Sequence, residues 1–106
     1  MNYIFGSFTR ELEHQGVVLK QSDLDRLEDM SDILVDFEEP NGGITDIDYD
    51  VKPGVCKIIV RCPELVIRHS EDRVLYDVIE MADEFEFRQV SGDEEDEIQL
   101  TLTINV

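Results

Sequence analysis

Nine residues from Ile98 to Val106 alternate without interruption, with Ile98, Leu100, Leu102, Ile104 and Val106 apolar and Gln99, Thr101, Thr103 and Asn105 polar. Successive side chains of a strand point to opposite faces, so this pattern describes a β-strand with one face in a core and the other toward water. A lone strand or hairpin is marginal in water, so the rest of the chain has to supply partners and a cover. The polar set contains no Lys, Glu or Pro, the residues that blunt an open sheet edge. This strand is therefore expected to be central, covered or paired with another chain.

The candidate partners lie upstream. Phe85 and Phe87 alternate with Glu84, Glu86 and Arg88, and Ser91-Gly92 then opens an acidic loop, which predicts a closing hairpin over 84–105. Ile47, Tyr49 and Val51 alternate with Asp46, Asp48 and Asp50 before Lys52-Pro53-Gly54. Proline presets φ and glycine accepts a positive φ at the centre of a type II turn, so Val55 to Arg61 is read as the returning strand of a hairpin over 44–61. Pro63 lacks the ladder donor and should end that strand or sit at an edge or bulge. A further strand is expected over Asp32–Phe37, where Ile33, Val35 and Phe37 alternate with Leu34 and Asp36 before the turn residues Glu39-Pro40-Asn41-Gly42-Gly43.

Three segments have helical spacing. From Asn2 to His14, the residues Ile4, Phe5, Phe8 and Leu12 share one face, and Gly16 is placed to stop the helix. A short second helix is expected from Ser22, where Ser22 and Asp25 resemble a capping box ahead of Leu24, Leu27 and Met30. Val17, Val18 and Leu19 between these helices have no assignable period. Ser70 is a good N-cap for a helix over about 71–83, with Glu71 and Asp72 against the positive end of its dipole and Val74, Leu75, Val78, Ile79 and Ala82 as its apolar stripe. The resulting fold class is α+β: a mostly antiparallel sheet of about 4–5 strands, with the N-terminal helices and the helix near 71–83 packed on one face. One core is expected from a chain of 106 residues, so 1–106 is read as a single domain.

The charge narrows the function classes. Asp and Glu number 26 against 9 Lys and Arg, for a net charge of −17 at pH 7. Direct nucleic-acid binding requires cations that neutralise phosphates, and adsorption to an anionic membrane surface requires the same, so both are expected to be absent. A negative field steers basic protein surfaces, which makes a basic protein the expected partner. The N-terminus has no basic region followed by an apolar run, and no window approaches the ~20 apolar residues of a membrane span, so a cytoplasmic location is expected. Cys56 and Cys62 read as small apolar residues of one strand. Six residues at about 3.3 Å per residue set them roughly 20 Å apart, too far for a disulfide or a shared metal.

Two acidic groups are the candidate partner-binding sites. Asp46, Asp48 and Asp50 would form a ladder of carboxylates on one strand face. They start like a calcium-binding loop, but Val51 stands where such a loop needs glycine and Lys57 where it needs glutamate, so no metal site is assigned. Asp93, Glu94, Glu95, Asp96 and Glu97 would place five carboxylates in one loop. His14, His69 and the serines lack a nucleophile-and-base context, so no catalytic, metal or cofactor residue is assigned and no cofactor is expected. The leading expectation is a non-enzymatic binding module of the inhibitor, immunity or nucleic-acid-mimic type. A second reading is an assembly subunit forming a homo-oligomer through the C-terminal strand, and a third is a small carboxylate-dependent enzyme.

Overall fold

The computed structural model describes residues 2–38, 43–63, 72–91 and 96–105. The alternating segments pair into one antiparallel sheet of four strands: β1 (Asp46–Lys52), β2 (Val55–Pro63), β3 (Glu84–Ser91) and β4 (Asp96–Asn105). Their spatial order is β1-β2-β4-β3. β4 thus lies inside the sheet, with β2 on one side and β3 on the other. Both hydrogen-bonding edges of β4 are used within the chain, which explains how it does without edge-blunting charges. The two edges of the sheet are β1 and β3.

Register follows from the alternation. Ile47, Val60 and Leu100 share one cross-strand row, and Tyr49, Ile58, Leu102 and Phe85 share the next, all on the inner face. A slip of one residue would turn every one of these side chains to the opposite face, so burial of one face fixes the pairing. Gly54 adopts φ 85° in the β1–β2 turn, as the second central position of a type II turn requires.

Helix α1 (Tyr3–Gln15) is capped at both ends. The Asn2 side chain accepts from the Phe5 N–H at 2.7 Å, and Gly16 takes φ 70° while the Val17 N–H bonds back to the Leu12 carbonyl at 2.9 Å, the six-to-one bond of a Schellman motif. Ile4, Phe8 and Leu12 recur every four residues and are buried toward β1, with Phe8 against Tyr49 at a ring separation of 5.6 Å. Helix α2 (Gln21–Asp36) packs on α1 and on α3 (Asp72–Met81), burying Leu27, Met30 and Leu34. Val78 of α3 is fully buried in the same cluster as Ile58, Val60, Leu100, Leu102 and Ile104. The N-cap expected at Ser70 lies outside the described residues, as do Val106 and most of the turn expected over 39–43.

Helix α2 corrects three expectations. It is 16 residues long rather than short, and it takes in Asp32–Asp36, which the alternation of Ile33, Val35 and Phe37 had assigned to a strand. The residue that burial selects is Leu34, three to four positions after Met30 and Ser31, while Ile33 and Val35 on its flanks are half-buried. Ile and Val have slightly lower helix propensity than unbranched residues, by only a few tenths of a kcal/mol, and packing of the 27-30-34 stripe outweighs it. The start differs too: Lys20 is the N-cap, without a side-chain cap bond, so the capping box at Ser22 is not used.

Candidate functional site

The Asp46, Asp48 and Asp50 row lies on the outer face of edge strand β1, away from the helices. It is not a bare ladder. Asp46 stands opposite Arg61 and Asp50 opposite Lys57 in the β1–β2 register, and the Lys52 ammonium lies 3.7 Å from Asp50. Asp48 faces Ile59 and accepts from the Tyr49 N–H at 2.8 Å. The outer face as a whole sets Asp46, Asp48, Asp50, Glu84, Glu86 and Glu97 against Lys52, Lys57, Arg61 and Arg88. Opposite charges at cross-strand positions are mildly favourable, so four cations offset part of the charge of the six carboxylates on this face.

The second acidic group is divided. Asp93, Glu94 and Glu95 lie outside the described residues. Asp96 and Glu97 are not loop residues but the first two of β4. Asp96 is exposed and accepts from Gln89 at 3.3 Å, while Glu97 is half-buried and accepts from the Thr45 hydroxyl at 3.4 Å. The two point to opposite faces of the sheet, so carboxylates adjacent in sequence are separated in space.

Among the described residues, the strongest concentration of acid without ion pairs is on α2, outside both acidic groups that the sequence singles out. Asp25, Asp29, Asp32 and Asp36 are all exposed and follow at steps of four, three and four residues. At 3.6 residues per turn they fall within about 60° of one another around the helix axis. Asp23 and Glu28 add to the same helix, and its one cation, Arg26, is turned away toward Asp23 at 3.4 Å and Asp83 at 3.1 Å. Among the described residues, none of the four stripe carboxylates has an ion pair; Asp32 accepts from the Asn2 side-chain amide at 2.6 Å. The i,i+4 spacing was present in the sequence, but the strand assigned to 32–37 cut it in half.

Local energetics work against this stripe. Like charges at i,i+4 destabilise a helix by about 0.2–0.5 kcal/mol per pair, as for Asp25 with Asp29 and Asp32 with Asp36. Acids in the last turn oppose the negative end of the dipole, worth about 0.3–1 kcal/mol each at exposed positions, and α2 has no basic residue there. Burial of Leu27, Met30 and Leu34 offsets these costs.

Other titratable groups serve structure. Asp83, between α3 and β3, accepts from Arg26 and from the Asn105 N–H, and these bonds hold its carboxyl below its ordinary pKa. Burial pushes the Tyr3 hydroxyl up to about 12, assisted by its hydrogen bond to Glu38. Burial likewise raises both thiols, with Cys62 reaching about 11 and the Glu97 charge adding to it. Cys56 and Cys62 are free, buried and on one strand face. A cavity of about 250 Å³ lies between α1 and the 17–19 connection and is lined by Thr9, Leu12, Glu13, Val17, Val18, Leu19 and Leu24. Glu13 is its lone ionisable lining residue, so it offers no carboxylate pair. Among the described residues, no group of three or more His, Cys, Asp or Glu converges as a metal site. His14 occupies the last turn of α1, and His69 lies outside the described residues.

No known protein family, curated protein or solved structure matches this chain. No helix among the described residues is long and apolar enough to cross a membrane.

Proposed function

We propose that the protein is a non-enzymatic binding module that docks a basic protein surface against the exposed face of α2. The observation that carries this reading is the line of Asp25, Asp29, Asp32 and Asp36, which has no ion pair among the described residues and is held at a local cost to the helix. At 1.5 Å of rise per residue the line extends about 16 Å. One strand of B-form DNA sets out about five phosphates over that length, at one per 3.4 Å. A cationic surface built for a nucleic-acid backbone is therefore the best-fitting partner class, approached by electrostatic steering that weakens as salt rises. Two buried free thiols support a reducing, cytosolic setting.

The test compares wild type with a variant in which Asp25, Asp29, Asp32 and Asp36 are all changed to Asn. Affinity capture from native lysate at low salt should retain basic proteins on the wild type, release them at high salt and lose them on the variant. The variant should also be more heat-stable, because the repulsive pairs are gone. Retention of the same proteins by the variant would place the docking surface elsewhere.

A further inference from the structure

The inner face of the sheet is not evenly covered. Phe85 pairs across to Leu102 and Phe87 to Leu100, so both rings project into the layer that holds the core. Leu100 and Leu102 are fully buried there, yet Phe85 is 55% and Phe87 45% exposed, their rings in edge contact at 5.9 Å. β3 is also a sheet edge, and among the described residues nothing pairs with its outer side. Two adjacent aromatic rings beside an open ladder make an apolar docking strip, which a strand from another chain can extend.

The charges on β3 identify the occupant. We propose that a second copy of this chain adds to β3 antiparallel, forming a two-fold dimer centred on Phe87 and a continuous sheet across both copies. In an antiparallel pair, directly opposed residues share a face, so a symmetric pairing that keeps the rings on the inner face has its two-fold axis at a residue. Centring on Phe85 sets Glu84 against Glu86 of the partner subunit. Centring on Glu86 or on Arg88 sets that residue against its own copy. Centring on Phe87 sets Glu86 against Arg88 of the partner subunit, twice by symmetry, with Phe87 against its own copy and Phe85 against Gln89 of the partner subunit. Of these four registers, this one alone has attraction without like charges opposed. The edge for self-association is therefore β3, whereas β4 has both edges occupied.

This inference is independent of the docking role of α2, and salt separates the two. Each copy carries −17, so long-range repulsion opposes the dimer, and screening at about 0.15 M salt should tighten it while weakening a basic partner. Sedimentation equilibrium across the micromolar range should show a reversible dimer that strengthens from low to moderate salt. Arg88→Glu, which puts acid against acid twice, should raise the dissociation constant roughly ten- to a hundredfold. The exchanged variant Glu86→Arg with Arg88→Glu has wild-type net charge and should restore the constant to within about threefold, since the same opposed pairs re-form with their signs exchanged. Both positions are exposed, and circular dichroism of the variants should match wild type. A monomer throughout at moderate salt, an Arg88→Glu variant that dimerises as well as wild type, or an exchanged variant as weak as the single change would each overturn the proposal.

Discussion

The two edges of the sheet are written in nearly the same code and end in different surroundings. β1 alternates Ile47, Tyr49 and Val51 with aspartates, and β3 alternates Phe85 and Phe87 with glutamates. On β1 the apolar members lie under α1: Ile47 and Val51 are buried, Tyr49 meets Phe8, and the Gln15 side chain donates to the Val51 carbonyl at 2.8 Å, closing part of the open edge. On β3 the rings remain half in water, and among the described residues no side chain closes the edge backbone. Alternation reports which residues share a face; whether that face is covered depends on elements far away in sequence.

The largest effect expected from this contrast is in unfolding free energy. Ile47→Ala should cost about 2–4 kcal/mol in urea titration, as for other buried aliphatic truncations, while Phe87→Ala at concentrations where the chain is monomeric should cost about 1 kcal/mol or less. Equal costs would mean that the Phe87 ring is packed after all and the contrast is false. The next effect concerns the outer face. Arg61→Glu removes the cation that stands opposite Asp46 and puts acid there, which should lower stability by about 0.5–1 kcal/mol, whereas Arg88→Glu in the monomer should lower it by less than about 0.5 kcal/mol because Arg88 has only a long, exposed contact to Glu86.

The smallest effect is a pH dependence peculiar to the β3 side. The Arg26 guanidinium and the Asn105 N–H lower the Asp83 carboxyl from its ordinary 3.8, so the folded state favours its ionised form. The stability this contributes is complete above the ordinary value and is lost as pH falls through the lowered one. In Tm measurements from neutral to acid pH, Asp83→Asn should lie slightly below wild type near neutrality and converge on it at the acid end. A constant gap at all pH values would show that the carboxylate's charge is not what matters there.

Much of the architecture was legible because the strands obey one rule throughout. β4 alternates without a fault, β1 and β2 flank a Pro-Gly turn, and α1 has Gly16 at its C-terminal end, so local preference and burial agree. The candidate site was less legible, and the reason is traceable to Ile33, Val35 and Phe37. A period of two in three residues hid a helical stripe running from Leu27 to Leu34, and with it the continuation of Asp25 and Asp29 into Asp32 and Asp36. Asp96 and Glu97 misled in another way: adjacent acids look like one cluster, but a strand sends them to opposite faces.

The sequence by itself determined the α+β class, the strand faces, the Gly16 stop of α1 and a large surplus of negative charge, because each depends on composition or on residues within a few positions of one another. Only the tertiary structure decided that β4 is central, that Arg61 and Lys57 of β2 stand opposite Asp46 and Asp50, that α2 carries a line of carboxylates with no ion pair among the described residues, and that Phe85 and Phe87 are left exposed. Those outcomes are set by which distant elements come to lie side by side, and the net free energy of that packing is not written in any local pattern.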